Sequence, residues 1–246
     1  MEPIIRIRNL TTRFDDRVIL DDISVDFYPN EITIILGKSG CGKTTLLKHI
    51  IRLYQPGSGS IEIMGQDVTW MEEAPFNVIL RKIGVLFQNG ALLNSITVGE
   101  NVAIPLEQHT NLPPAIIRRL VRTKLRLVEL DDAMHLFPAQ LSGGMRKRAS
   151  LARAIALDPV ILFGDEPSAG LDPVTAAALD KLLFNLRDIL NMTLIVVSHE
   201  LASIRRIADR IIFLDEGKVL FQGKLKDAEQ TDLPAIRIFF NPAFNS

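Results

Sequence analysis

Residues 37–44, which read Gly37-Lys38-Ser39-Gly40-Cys41-Gly42-Lys43-Thr44, decide the fold of this chain. They fit the pattern G-x-x-x-x-G-K-[ST], in which glycines let the backbone turn its N–H groups inward around phosphate oxygens. In this pattern Lys43 reaches the β- and γ-phosphates, and Thr44 offers its hydroxyl to Mg²⁺. The apolar run 32–36 precedes the stretch and a helical pattern follows from Thr45. The sequence therefore predicts a strand, a phosphate loop and a helix whose N-terminal dipole adds to anion binding.

Buried strands and helical patterns alternate on the C-terminal side of this loop. The apolar runs 160–163 and 194–197 are typical of strands buried on both faces, and a helical pattern covers 175–189 between them. This alternation predicts an α/β fold with a parallel sheet. On the N-terminal side, alternating apolar residues over 5–27 predict antiparallel strands.

The middle of the chain has a different pattern. From about residue 89 to 157 the strand signal fades, and Pro113-Pro114 opens an amphipathic helical stripe. We expect its basic face to be solvent-exposed; it carries Arg118, Arg119, Arg122, Lys124 and Arg126. The organisation is therefore interpreted as one domain over 1–246, with a helical insert at about 89–157. Its α/β core would lie at about 1–88 and 158–224.

The tail, residues 225–246, ends this domain. It follows a predicted hairpin whose turn is Asp215-Glu216-Gly217-Lys218. The tail carries an apolar cluster made of Ile236, Ile238, Phe239 and Phe240. Such a cluster packs either on its own domain or against a partner chain, and the sequence leaves both interpretations open.

Composition narrows the function classes. The 47% hydrophobic content suits a sizeable core, and the net charge of −1 provides no basic field for nucleic acid. Cys41 is the single cysteine, so a disulfide within the chain is excluded and a reducing compartment is expected. Cys41 is interpreted as a small loop residue because no activating partner is visible. Lacking a signal peptide and an apolar run of about 18 residues, the chain is expected to reach a membrane only through another polypeptide.

Two further segments carry chemistry. The run 160–163 leads through Gly164 into Asp165-Glu166, where an aspartate at a strand end can hold Mg²⁺ through water. The glutamate beside it can accept a proton from an attacking water, although two acids at a strand end are also ordinary loop polarity. A phosphate loop alone could serve a kinase, a GTPase or a motor, and this pair of acids reduces the number of classes.

The segment Leu141-Ser142-Gly143-Gly144-Met145 narrows this choice. It precedes the helical run 146–157, with Ser142 as a helix cap and glycines that permit close approach of an anion. A second anion site makes sense if ATP is sandwiched between two copies of the chain. If the chain were a kinase-like phosphotransferase, the presence of this segment would have no explanation.

Taken in order, these motifs resemble the ABC ATPase family across essentially the whole chain. The set comprises residues 37–44, Gln88, 141–144, Asp165-Glu166, 168–172 and Ser198-His199-Glu200. The resemblance implies a P-loop NTPase (RecA-like) core, an N-terminal antiparallel β subdomain and an inserted α-helical subdomain. It also implies ATP and Mg²⁺ as ligands, bound by a homodimer in which 141–145 of one copy faces the phosphate loop of the other.

The resemblance also implies roles for single residues. Phe14 looks like the aromatic residue that stacks on adenine, although a lone phenylalanine is as readily a core residue. Gln88 resembles the glutamine that contacts Mg²⁺ and senses the transmembrane partner, and Glu166 the catalytic base. Asp172 matches the aspartate that couples the two sites of the dimer, and His199 the histidine that contacts the γ-phosphate.

Two departures from the family pattern stand out. Gly164 stands where a bulkier residue is common, and Met145 replaces the usual glutamine after Ser142-Gly143-Gly144. The second departure belongs to the stretch 141–149, which, with residues 86–93, 100–106 and 109–110, resembles ATPases of the Mce/Mla type. Those ATPases drive lipid movement between bacterial membranes. That resemblance implies an integral-membrane permease, an Mce-domain lipid-binding protein and a STAS-domain regulator, with the chain on the cytoplasmic side of the inner membrane. The alternatives are a small-solute transporter ATPase and a soluble ABC ATPase without a transport role.

Overall fold

The computed structural model describes residues 1–241; the last five residues of the tail, 242–246, lie outside the described part. The strands are β1 (Ile5–Phe14), β2 (Arg17–Phe27), β3 (Ile32–Gly37), β4 (Ser58–Ile63), β5 (Gln66–Asp67), β6 (Ile83–Leu86), β7 (Ile161–Asp165), β8 (Thr193–Val197), β9 (Arg210–Asp215) and β10 (Lys218–Lys224). The helices are α1 (Lys43–Ile50), α2 (Glu73–Leu80), α3 (Val98–His109), α4 (Pro114–Leu127), α5 (Gly143–Ala154), α6 (Pro173–Leu190), α7 (Leu201–Ile207), α8 (Leu225–Gln230) and α9 (Pro234–Phe240). Over residues 1–241, none of the helices has the length and apolar character needed to span a bilayer.

The chain divides into two compact units, one of Met1–Phe76 with the chain from Ile195 onward, the other of Asn77–Leu194. The expected helical insert, 89–157, falls within the second unit. The finer division into a core, an insert and a tail stays a prediction.

The first unit contains the predicted antiparallel strands in a sheet of order β2-β1-β4-β5. Ile5 lies opposite Phe27 on β2 and Ile63 on β4, and all three side chains are buried. Residues 5 and 7, and then 10 and 12, of β1 are buried, so the predicted period of two holds on either side of an irregularity between Ile7 and Leu10. A short segment after β5 leaves Trp70 exposed.

A second sheet in the first unit positions the phosphate loop. The strands of this sheet are ordered β10-β9-β3, and β8 lies next to β3. Every residue of β3 is buried, because a strand in the middle of an α/β sheet is covered on both faces. β3 runs parallel to β9, with Ile34 opposite Ile211. The predicted hairpin is present: Glu216 and Gly217 both have positive φ in the turn that joins β9 to β10.

The second unit contains β6 and β7, which pair in parallel, and helices α3 to α6. α3 begins with a capping box in which the Thr97 side chain accepts from the Glu100 N–H and the Glu100 carboxylate accepts from Thr97. α4 begins at Pro114, as the sequence predicts. α5 ends at Ala154, three residues before the expected end, and the residues that follow form turns.

One side chain on the basic face of α4 contradicts the sequence interpretation. Lys124 is only 3% exposed, whereas its basic neighbours at 118, 119, 122 and 126 are exposed. Its ammonium group forms an ion pair with Asp158 in the turn before β7. The expectation of solvent exposure is therefore wrong at this position, because a partner 34 residues away in sequence compensates the buried charge.

The described part of the tail packs on the first unit. Ile236 and Phe240 are buried, and the Phe239 ring packs edge-to-face on Phe213 of β9 at 5.9 Å between centroids. Arg205 donates to the Phe240 carbonyl oxygen at 3.1 Å. Ile238 is exposed. Of the two interpretations of the apolar cluster, packing on its own domain accounts for Ile236, Phe239 and Phe240.

Candidate functional site

In the first unit, the phosphate loop connects the end of β3 to the start of α1. Gly37 has φ +149°, and a Cβ atom there would lie 2.0 Å from the Leu214 carbonyl oxygen. Gly42 has φ +102°, and a Cβ atom there would lie 2.6 Å from the Leu20 side chain. Both positions therefore require glycine, as the sequence pattern predicts.

The Lys43 ammonium group folds back over this loop. It donates to the carbonyl oxygens of Gly37 and Lys38, each at 2.9 Å. α1 has no acidic residue in its first turn, and its N-cap, Gly42, provides no side-chain cap. The positive end of the helix dipole is thus directed at the loop, where phosphate oxygens can replace the carbonyls as partners of Lys43. Thr44 and Thr45, half-buried, begin this helix.

Cys41 lies buried in the loop. Burial raises the pKa of its thiol, and the opposing effect of the nearby Lys43 charge is smaller. The thiol is therefore protonated at neutral pH, which agrees with its interpretation as a small packing residue.

Phe14 stands at the end of β1 with 43% of its surface exposed. Its ring packs edge-to-face on Tyr54, at 5.3 Å between centroids. Tyr54 in turn packs on the imidazole of His49, which is fully buried. His49 bonds the Thr12 hydroxyl at 2.8 Å and the Tyr54 carbonyl oxygen at 3.1 Å. The exposed ring is thus supported from behind, an arrangement suited to stacking on a planar base.

His199 follows β8 and is exposed. The preceding residue, Ser198, is buried; its N–H donates to the Ile35 carbonyl oxygen of β3, and its hydroxyl accepts from the Glu200 N–H at 3.2 Å. His199 therefore lies just after the end of β8. The neighbouring strand β3 is the one that leads into the phosphate loop.

In the second unit, Asp165 and Glu166 stand at the end of β7 and are half-buried. Glu166 has φ +48°, a left-handed conformation that costs about 1–2 kcal/mol for a residue with a side chain. Its carbonyl oxygen accepts from the Ala169 N–H at 3.1 Å and from the Lys147 ammonium group at 3.5 Å. These bonds hold the strained turn in place.

The segment 141–145 lies at the N-terminus of α5. Ser142 caps this helix as predicted, because its hydroxyl accepts from the Met145 N–H at 3.2 Å. Ser142 and Gly143 are exposed, whereas Leu141 is buried. A Cβ atom on Gly144 would lie 2.6 Å from the Thr175 methyl group of α6. An exposed helix N-terminus with small residues remains open to an anion from a neighbouring molecule.

The Gln88 turn is held by one face of α5, a feature that sequence reasoning missed. Lys147 donates to the Gln88 carbonyl oxygen, and Arg153 donates to Gly90 and Ala91 at 2.9 and 2.7 Å. Residues 147, 150 and 153 share this face because they are three apart on a helix. The sequence spacing predicts that these residues share a helix face. It does not predict that this face contacts a turn about 60 residues away in the chain.

Asp172 has a local role that the sequence analysis did not assign. It is the N-cap of α6, and its carboxylate accepts from the N–H groups of Val174 and Thr175, each at 3.0 Å. Hydrogen bonds from Thr175 lower the pKa of this carboxyl group. Asp172 is exposed, so a cap does not prevent it from meeting a second chain.

The candidate Mg²⁺ ligands are a hydroxyl group, an amide and a carboxylate, on Thr44, Gln88 and Asp165. Each offers the hard oxygen atom that Mg²⁺ prefers, so each by itself suits a Mg²⁺ ligand. Thr44 belongs to the first unit, and Gln88 and Asp165 belong to the second.

Comparison with known proteins shows what this chain is similar to. Residues 20–169 match the sequence profile of a family described as ABC transporter. The chain is 42% identical to the intermembrane phospholipid transport system ATP-binding protein MlaF of Haemophilus influenzae, over 89% of this chain and 83% of that protein. It is 37% identical to the protein of the same name from Escherichia coli K12, over 97% and 88%. It is 38% identical to the probable ribonucleotide transport ATP-binding protein mkl of Mycobacterium leprae, over 96% and 68%.

Solved structures agree with the predicted fold class. The dimeric ATP-binding cassette MJ0796 in a post-hydrolysis state with ADP and Pi superposes with a TM-score of 0.82 at 30% identity, over 90% of this chain and 98% of that chain. The cbiO1 protein of Clostridium perfringens, part of the transporter complex cbiONQ, gives 0.85 at 26% identity, over 97% and 98%. The predicted α/β fold with an antiparallel subdomain and a helical part is thereby confirmed.

Proposed function

Because the chain belongs to the ABC transporter family of ATP-binding proteins, we propose that it is the ATP-hydrolysing subunit that energises phospholipid transport between bacterial membranes. The observation that carries this proposal is the identity of 37–42% to two phospholipid transport ATP-binding proteins over most of the chain. The phosphate loop supports ATP as the substrate, because its glycines, Lys43 and the α1 dipole all suit a polyphosphate.

The proposed working form is a homodimer that closes on two ATP molecules. Each ATP would meet the phosphate loop of one copy and the exposed Ser142-Gly143 of the other. The dimeric solved relative supports this pairing. Two-fold symmetry gives both sites the same composition. ATP is needed for closure because its phosphate charge is met by groups from both chains, and hydrolysis removes that bridge.

In the proposed hydrolysis, each of the candidate site residues has a separate role. Glu166 is the proposed general base, which accepts a proton from the water that attacks the γ-phosphate. Lys43 and His199 would bind γ-phosphate oxygens, and Phe14 would stack on adenine. Thr44, Asp165 and Gln88 would hold Mg²⁺, which would supply positive charge to neutralise the nucleotide phosphates.

Partners would attach the chain to the cytoplasmic side of the inner membrane. A groove in the second unit suits a permease segment, since it combines exposed Phe87 with Ile104, Pro105, His109 and Arg153. It lies beside the Gln88 turn, which Arg153 also holds. An Mce-domain lipid-binding protein and a STAS-domain regulator are the further proposed partners.

A second candidate substrate class comes from the 38% identity to a probable ribonucleotide transport protein. Phospholipid transport is preferred because identity to the phospholipid ATPases reaches 42% and because Met145 follows the Mce/Mla-type pattern. A role without transport remains the third alternative.

The test uses Glu166→Gln, which removes the proposed base but keeps the side-chain shape. We expect turnover to fall about 100-fold or more, whereas ATP binding persists and the dimer stays closed. The ATPase rate and the size of the ATP-bound species check this expectation. Near-normal turnover would refute the role of Glu166.

The same variant identifies the partners. A tagged Glu166→Gln form purified from native membranes with ATP should retain a multi-span permease and an Mce-domain protein. A permease with a small-solute binding protein would shift the substrate class. Recovery with soluble partners only would refute the transport role while leaving the ATPase intact.

A further inference from the structure

Lys147 is a buried cation next to the segment 141–145. It lies on α5, five residues after the cap Ser142, and is only 9% exposed. Burial lowers the pKa of its ammonium group, and the charge of Glu166 opposes this effect. Burying a lysine is unfavourable unless its N–H groups find partners. Its partners therefore indicate why it is there.

Those partners are two backbone carbonyl oxygens from different turns. One belongs to Gln88 and the other, at 3.5 Å, to Glu166. One turn thus carries a candidate Mg²⁺ contact, and the other carries the candidate base. The two turns are 78 positions apart in sequence, and a single ammonium group on α5 connects them.

The Glu166 turn needs such a restraint. Its φ of +48° is unfavourable for glutamate, so the residue keeps this conformation only if its surroundings hold it. A base must also lie within hydrogen-bond reach of the water it activates, and small displacements of a reacting group slow catalysis strongly.

We propose that Lys147 is a positioning residue that fixes the Gln88 and Glu166 turns to the helix of the 141–145 segment, so that the rate of ATP hydrolysis depends on it. Lys147 acts through the two turns and does not itself contact ATP. The proposal rests on the proposed function, because it concerns the hydrolysis that Glu166 would catalyse. It gives Lys147 a role, which the family resemblance did not.

The chain contains a matched control. Lys124 is also a buried lysine of the second unit, and its ammonium group is paired with Asp158. It lies away from the candidate site residues in sequence, and its partner is a carboxylate in the turn before β7. Replacing either lysine by methionine removes one buried charge and keeps an unbranched side chain that is one atom shorter.

The experiment compares Lys147→Met, Lys147→Arg and Lys124→Met in the full chain, purified with whatever permease it retains. Steady-state ATPase gives kcat and KM, and thermal unfolding gives Tm. For Lys147→Met we expect kcat to fall about 10- to 100-fold with the KM for ATP within about twofold, the pattern of a misplaced catalytic group. Lys147→Arg, which keeps a charged donor, should retain most of the wild-type kcat. Lys124→Met should lower Tm and keep kcat.

Two results would overturn the positioning role. They are a wild-type kcat in Lys147→Met, whether or not KM is raised, and an equal loss of kcat in Lys124→Met. If Lys147→Met does not fold, Lys147→Leu, which also removes the donor, takes its place under the same criteria. The Glu166→Gln variant separates the two proposals. If it is inactive while Lys147→Met is fully active, only the positioning role fails; if the wild-type chain hydrolyses no ATP, both fail.

Discussion

At the scale of single residues, His49 shows how the candidate adenine platform depends on a buried imidazole. The Tyr54 carbonyl oxygen can only accept, so Nδ1 of His49 carries the hydrogen in their 3.1 Å bond. Nε2 of the neutral ring then accepts from the Thr12 hydroxyl. The neutral ring thus satisfies both of its nitrogen atoms, and burial disfavours the charged form. The sequence alone gives no sign of this role, because the partners of His49 lie on β1 and in the loop after α1.

His49 should make stability depend on pH. Burial lowers the pKa of its imidazole, so the unfolded chain binds a proton at higher pH than the folded one. The contribution is fully present above the unfolded pKa of about 6.5 and is lost as pH falls below it towards the folded value. We expect the free energy of unfolding to decrease more between about pH 7.5 and about pH 5.5 in the wild type than in His49→Gln. Urea denaturation at both pH values measures this, and equal decreases would contradict it.

Residues also differ in how far the sequence could predict them. The glycines of 37–44 were predictable, because the loop's need for positive φ is local and leaves a fixed spacing. Ser142 was predictable as a cap for the same reason. Lys147 and Lys124 were not, since each bonds a residue at least 34 positions away and a helical pattern shows only which face a side chain is on. Assigned roles such as those of Glu166 and Asp172 depend on the resemblance and stay predictions.

At the scale of elements, the first residue before α6, Asp172, has two proposed roles. Asp172-Pro173 is a favourable helix start, with a capping carboxylate followed by proline at the first helical position. The family resemblance also assigns Asp172 to coupling between the two copies. A variant that keeps the cap but loses the charge can separate these tasks.

We expect Asp172→Ala to lower Tm, whereas Asp172→Asn, which also caps well, should stay near the wild-type value. Hydrogen bonds from Thr175 lower the pKa of Asp172, so the cap's contribution is present above the unfolded pKa and is lost as pH falls through the folded one. The difference in Tm between the wild type and Asp172→Ala should therefore narrow in acid. Thermal unfolding at neutral and acid pH checks both points. A reduced ATPase rate in Asp172→Asn, at unchanged Tm, would assign the charge itself to coupling.

Element boundaries were harder to predict than element types. The end of α5 lies three residues earlier than its apolar pattern indicates, since residues 155–157 are buried or half-buried in turns. Burial there continues the apolar pattern without continuing the helix. β3 and the start of α4 were predicted correctly, because a continuous apolar run and a proline each leave a sharp local signal.

At the scale of the whole molecule, the candidate residues are distributed over the two units. The first unit carries the phosphate loop, Phe14 and His199, and the second carries Gln88, Glu166 and the segment 141–145. The sequence predicted the order of these segments but not the unit boundaries, which depend on contacts throughout each unit. The proposed dimer adds that Ser142 serves the ATP of the other copy.

Mixed dimers test that arrangement. Lys43→Ala should disable the phosphate loop and Ser142→Arg the opposing segment, so each homodimer should be inactive. A mixed dimer, purified through two different tags, has one site with both defects and one intact site. We expect co-expression at equal levels to recover about a quarter of wild-type activity, since half of the dimers carry one intact site of two. An absence of recovery in the purified mixed dimer would contradict sites that are shared and work independently.

The buried Cys41 has a practical consequence for chemical labelling. It is the only sulfhydryl group in the sequence, so a maleimide or spin label added to the unmodified chain must attach within the phosphate loop. Its raised pKa makes alkylation slow, and bound nucleotide should shield it further. Intact-mass measurement of alkylation over time would then give a footprint of nucleotide occupancy without any engineered reporter. Conversely, a fluorophore intended for another surface requires that this cysteine be replaced first.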